Sequence, residues 1–188
     1  FELDINNTED MLLKINGAVE EFGPVTALVN NSAIAYDNLF ILSQQRHIEQ
    51  MIQTNVIGTM LLTQICLKSM LIQRYGAIVN ISSIAASHGY KGLGVYAATK
   101  AAINGLTLSL AREYGAANIR VNAVAPGFFA SDMTKTLASG NLKRIMQRTP
   151  LQRLASTGDV AEVVLFLASE KASFITGQIV PVDGGIHC

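Results

Sequence analysis

The chain has no tryptophan and, in 188 residues, only two cysteines, four prolines and three histidines. Cys66 and Cys188 make neither a metal-ligand spacing nor a disulfide framework, so no metal is expected and a reducing compartment fits best. Charge is scarce as well. Charged residues are 15% of the chain and the net charge is +0, against an ordinary charged share of about 25%. No basic block or Lys/Arg stripe is present, which argues against nucleic acid as a partner. So little charge also suggests that part of the exterior is covered by other subunits. No unbroken apolar run approaches the roughly 20 residues of a membrane span, so no membrane partner is expected. No signal or transit peptide precedes Phe1, which is not a methionine, and the chain reads as beginning inside a fold.

What is abundant is apolar: 49% of residues are hydrophobic. Short runs rich in Val and Ile alternate with longer helical patterns, the order of a parallel sheet covered on both faces. Strands are expected at 1–5, 25–30, 77–81, 119–123 and 178–182. Helices are expected at 9–22 with Thr8 as N-cap, at 44–73 with a bend near Gly58, at 96–114, and at 159–169 after the cap candidates Ser156 and Thr157. The less apolar stretch 131–148 reads as a helical lid. These elements predict an α/β, Rossmann-like doubly wound parallel sheet, one domain over 1–188.

The sharpest chemical feature is Tyr96-Ala-Ala-Thr-Lys100, opening a helix after a glycine-rich loop. Residues four apart share a helical face, so phenol and ammonium enter one space. A cation beside a phenol favours the phenolate; moving it from about 10 to about 7 takes roughly 4 kcal/mol. The pair thus reads as a general acid or base. Alone, the pattern is short and matches many surface helices. Ser83 ends the strand 77–81, where doubly wound sheets place ligands, and lies 13 residues before Tyr96. Its hydroxyl is suited to hold an oxygen that gains charge, although a turn or cap role is the plainer use of Ser82-Ser83. Asn30-Asn31 follows another strand, as an Asx turn or a nucleotide-facing amide. Asn55 sits inside a helix, where asparagine is a poor former; its amide could order water toward Lys100.

In chain order, NN-S-A, T-N-V-I-G, S-S with 13 residues to Y-A-A-T-K, and N-A-V-A-P-G-F resemble the short-chain dehydrogenase/reductase family over residues 1–188. The segments VNAVAPGFFASDMT and FITGQIVPVDGG are most similar to 3-oxoacyl-[acyl-carrier-protein] reductases of bacteria and mitochondria. The resemblance implies a carbonyl reductase using NADP, with NAD as the alternative, in fatty acid synthesis. Tyr96 would be the proton donor, Lys100 its activator and a partner of the nicotinamide ribose, Ser83 the carbonyl-orienting hydroxyl, and Asn55 part of a water relay. Asp4, Ile5 and Asn31 would line the adenosine half, the Phe129 backbone would meet the carboxamide, and Ser131 would touch carboxamide or phosphate. Acyl carrier protein would dock through Arg74, with Arg112 and Arg120 as possible substitutes for a second basic position, which is Ala117 here. A homo-tetramer, in cytoplasm or mitochondrial matrix, is also implied.

The sequence departs from the family in two places. Its glycine-rich turn, which seats a pyrophosphate on a helix N-terminus, has no counterpart, and Ser32-Ala33 stands where Ala-Gly is usual. Residues 1–5 would then lack a neighbouring strand and 25–30 would be an open apolar edge, so residues 1–188 alone are expected to bind dinucleotide poorly and to aggregate. Two other readings stay open: a carbonyl, sugar or steroid dehydrogenase of the same family, or a truncated, catalytically silent subunit that only oligomerises.

Overall fold

A computed structural model of the chain describes residues 2–129 and 139–187. Four parallel strands form one sheet in the order β1-β2-β3-β4: β1 Ala27–Asn30, β2 Gly76–Ile81, β3 Ile119–Pro126 and β4 Ile179–Val182. Registers run Ala27 to Ala77, Ile78 to Val121 and Val124 to Val180. Helices alternate with them: α1 Thr8–Phe22; α2 Gln45–Ile52; α3 Thr59–Gln73; α4 Ala85–His88; α5 Gly94–Tyr114; α6 Ser139–Arg148; α7 Thr157–Ala168.

Successive strand residues point to opposite faces, and the core divides accordingly. Ile78, Ile119 and Val121 pack with Leu67 and Met70 of α3 and Leu110 of α5. Val79 and Val124 face the other way, onto Leu167 of α7 and Ala172. β2 and most of β3 are buried on both sides, which explains why they read as unbroken apolar runs.

A polar ladder runs through this interior. Asn30 Nδ2 donates to Asn80 Oδ1 at 2.8 Å and to Thr63 Oγ1 at 2.9 Å, and Asn80 Nδ2 donates to Thr107 Oγ1 at 2.8 Å. Asn30 Oδ1 is buried with no partner among the described residues.

Some expectations need correction. Residues 2–5 form no strand. Asp4 Oδ1 accepts from Asn6 N–H at 2.9 Å and Asp4 C=O from Asn7 N–H at 3.0 Å, a turn into α1. With no strand alongside, local turn bonds satisfy this backbone instead. The N-cap of α1 is Asn7, not Thr8, because Asn7 Oδ1 reaches Asp10 N–H at 3.1 Å. The bend expected near Gly58 is a π-helical turn, Gln53–Gly58, joining α2 to α3 without a break. The joined helix Gln45–Gln73 is long and apolar enough to cross a membrane by length and composition; here Ile65, Leu67 and Met70 are spent on the core. α7 carries the expected cap, Ser156, closed as a capping box with Asp159. Of the stretch 131–148, residues 131–138 lie outside the described residues and the rest holds α6.

Candidate active site

The carboxyl end of β2 leads into Ser82-Ser83. Ser82 N–H continues the ladder to Val124 C=O at 2.8 Å, and its buried hydroxyl donates to Asn104 Oδ1 at 2.6 Å. Ser82 is therefore the serine that ties β2 to α5. Ser83, one residue on, accepts at Oγ from Ala85 N–H at 3.1 Å and lies near enough to the Tyr96 phenol to draw its pKa down.

α5 opens at Gly94, after the loop that contains Gly89 and Gly92, and its run of alanines favours helix. That start sets Tyr96 and Lys100 one turn apart, facing β2. Lys100 is 3% exposed. Its Nζ donates to Ile81 C=O at 2.7 Å and lies 5.7 Å from the Tyr96 ring centroid. The other two ammonium protons have no hydrogen-bond partner among the described residues.

Burial dominates the electrostatics and overturns the expected lowering of Tyr96. Desolvation pushes the phenol above its usual range, the Ser83 hydroxyl opposes this, and Asp37 adds to it. The same burial lowers Lys100 to about 8. Spacing alone showed a cation near a phenol; it did not show how little water either group keeps.

Asn55 occupies the π-helical turn and is 1% exposed. Its Oδ1 accepts from Ile34 N–H at 2.8 Å, and its Nδ2 donates to Ile34 C=O at 2.8 Å and Thr99 Oγ1 at 3.1 Å. Both amide protons are thus spent on protein, so its side chain braces the loop after β1 against α5. Thr99, which sequence reasoning overlooked, completes the brace by donating to Tyr96 C=O at 2.7 Å.

The remaining candidates are dispersed. Asn31 is exposed just past β1, and Asp4 is exposed beside the half-buried Ile5. This segment is docked on the π-helical turn: Thr54 Oγ1 donates to Asn6 Oδ1 at 3.1 Å, and a Cβ on Gly58 would come within 2.7 Å of the Ile5 carbonyl oxygen. Phe129 is half-buried after β3, bridged to Ala155. Ser131 lies outside the described residues. Arg74 is exposed and donates to Ala116 C=O at 2.8 Å. Arg120, suggested as a substitute basic position, instead donates to Leu167 C=O at 2.7 Å and Ser169 C=O at 3.0 Å, capping the end of α7. A hollow of about 320 Å³ is lined by Asn6, Glu49, Gln50, Gln53 and Thr54, none of them a candidate.

A family model described as enoyl-(acyl carrier protein) reductase matches residues 1–187. The 3-oxoacyl-[acyl-carrier-protein] reductase FabG of Staphylococcus aureus is 40% identical over 187 residues, covering 100% of this chain and 76% of that protein. The enzyme of the same name from Aquifex aeolicus is 44% identical over 176 residues, 92% of this chain and 71% of its own length. Among solved structures, ElxO with NADP bound aligns at a TM-score of 0.93 and 37% identity, covering 99% of this chain and 77% of that one. A Sinorhizobium meliloti chain assigned as a short-chain alcohol dehydrogenase aligns at 0.93 and 31%, covering 99% and 75%. These matches span the helix bearing Tyr96 and Lys100 and the whole sheet beneath it, and they make this chain a member of the short-chain dehydrogenase/reductase family.

Proposed function

We propose that this chain carries the catalytic residues of an NADPH-dependent 3-oxoacyl-[acyl-carrier-protein] reductase, folded as one domain. The observation that carries the reading is the placement of two hydroxyls together, Ser83 close enough to the Tyr96 phenol to oppose the effect of its burial, beside the buried Lys100 ammonium. Two hydroxyls that meet in this way can both donate to one carbonyl oxygen and stabilise charge as it develops there. A phenol held above its usual range stays protonated at neutral pH, as a proton donor must. Lys100 fixes the phenol's surroundings, and its two uncommitted protons suit a ribose hydroxyl.

The residues present fit the nicotinamide half of a dinucleotide: Lys100 offers donors beside the reacting hydroxyls, and the Phe129 backbone lies past β3. Asn31, Asp4 and Ile5 are assigned to the adenosine half. A nicotinamide held there would supply the hydride for the carbonyl carbon, and Tyr96 is the group placed to give the oxygen its proton. The glycine-rich turn that would seat the pyrophosphate does not occur in these 188 residues.

The named relatives act on 3-oxoacyl groups carried by a protein, which motivates that substrate and the assignment of Arg74 to carrier docking. Apolar positions left exposed on the helices, such as Ile72, Leu108 and Leu165, support self-association, and the tetramer is assigned from the family resemblance. These relatives are bacterial, so a cytoplasmic site is assigned and the mitochondrial alternative has no support. The deciding experiment compares NADPH oxidation by the full-length protein on acetoacetyl thioester, crotonyl thioester, small ketones and a ketosteroid. Preference for the acetoacetyl thioester is expected; preference for the ketosteroid would replace the reading, and preference for the crotonyl thioester would move the chemistry to a carbon–carbon double bond.

A further inference from the structure

Apart from the Ser83, Tyr96 and Lys100 group, a second line of hydrogen-bonding side chains crosses the carboxyl ends of the strands. Asp183 directly follows β4, His187 lies one turn beyond it, and Tyr90 sits in the loop that leads from α4 to α5. His187 Nδ1 is 2.9 Å from Asp183 Oδ2, and His187 Nε2 is 2.7 Å from the Tyr90 hydroxyl oxygen. A carboxylate only accepts, so Nδ1 carries a proton, and in the neutral ring Nε2 then accepts from the Tyr90 hydroxyl. The side chains of His187 and Asp183 are 16% and 10% exposed.

Each member is held from a further direction. Asp183 Oδ1 accepts from Gly185 N–H at 2.9 Å, and Asp183 presses so close to β3 that a Cβ on Gly127 would meet its Cα at 2.7 Å. His88 stacks on His187 with centroids 3.6 Å apart, and Tyr90 meets Phe128 edge-on at 5.3 Å. The line therefore joins the mouths of β2, β3 and β4. On its other flank the same loop is gripped by Asn38, whose N–H donates to Gly92 C=O at 2.9 Å.

The gripped loop, 84–93, is the segment that separates Ser83 from the helix bearing Tyr96. We infer that Asp183, His187 and Tyr90 form a positioning clamp that holds this loop as one wall of the substrate site, so that His187 and Tyr90 govern binding of the substrate's acyl part without taking part in proton transfer. This inference rests on the reductase reading for its substrate, while the clamp itself is a property of the loop.

The test uses the full-length protein as Tyr90→Phe, His187→Ala, the double variant and His187→Gln, whose amide can imitate both imidazole contacts. Amide hydrogen exchange over 84–93 and steady-state kinetics on acetoacetyl thioester are measured for each. Exchange in the loop should quicken, and KM should rise more than kcat falls, each by about five- to tenfold, the scale of one net hydrogen bond. The double variant should be no worse than His187→Ala alone, because the Tyr90 contact is already broken there, and His187→Gln should recover most of the loss. Tyr90→Phe removes a single oxygen, so it answers even if His187→Ala folds poorly. Unchanged exchange in Tyr90→Phe, or effects that add in the double variant, would overturn the clamp. A wild-type protein without turnover would sink the reductase reading alone, leaving the exchange data to decide the clamp.

Discussion

The Lys100 ammonium donates to the Ile81 carbonyl at 2.7 Å while lying 5.7 Å from the centre of the Tyr96 ring. One contact goes to the last residue of β2, the other to the first turn of α5, so the cation spans the two elements that carry the hydroxyls. Because Lys100 is buried, its charge is held at a cost, and that cost is measurable by titration.

The lysine's folded value is about 8 against an ordinary 10.5. Between these, the unfolded chain binds the proton that the folded chain has released, so stability rises with pH across about 8 to 10.5 and is lost as pH falls through 8. The full contribution is on the order of 3 kcal/mol. Thermal melts of the wild type should climb from pH 8 toward 10, and those of Lys100→Met should stay flatter. Parallel curves would refute the assignment.

Tyr96→Phe keeps the ring and removes only the hydroxyl that neighbours Ser83. Turnover should fall by about 10²–10⁴-fold, the usual contribution of a positioned proton donor, with circular dichroism unchanged. Retained activity would show that another group delivers the proton.

Asn55→Ala deletes three hydrogen bonds, to both backbone groups of Ile34 and to Thr99. A loss of about 2–4 kcal/mol is expected, because the partners are left buried and unpaired. Urea denaturation monitored by tyrosine fluorescence reads it, and a loss below about 1 kcal/mol would mean that water replaces the amide.

Gly58→Ala sets two effects against each other. Helix propensity favours alanine by about 1 kcal/mol, but the new methyl would stand 2.7 Å from the Ile5 carbonyl oxygen. Backbone overlap of that kind costs typically 1–3 kcal/mol, so the overlap should win and the segment 2–7 should lift off the helix. Limited proteolysis in that segment should accelerate; an unchanged cleavage rate would contradict the close approach.

Much of this arrangement was legible in the residues. Val/Ile runs marked β2 and β3 because strands buried on both faces need no alternation, and YAATK with its serine thirteen residues earlier marked the candidate site because both intervals follow from one strand, one loop and one helix. Residues 1–5 misled because Phe-Glu-Leu-Asp-Ile has strand-like side chains, whereas a strand is defined by a neighbour. The brace made by Asn55 and the direction of the Tyr96 shift were hidden because both depend on burial. Tyr90 and His187 lie 97 residues apart, and no local pattern relates them.

The ladder from Thr63 through Asn30 and Asn80 to Thr107 works as a zip code for strand pairing. Sliding β1 by one residue along β2 would tear the Asn30 amide from both of its acceptors, Asn80 Oδ1 and Thr63 Oγ1, and leave it dry, whereas a uniformly aliphatic interior would tolerate several alignments of similar energy. Such a ladder can be altered only as a set: any single asparagine replaced by leucine strands its neighbours, while replacing all four residues together would give a greasier core with a less definite answer to which residue faces which.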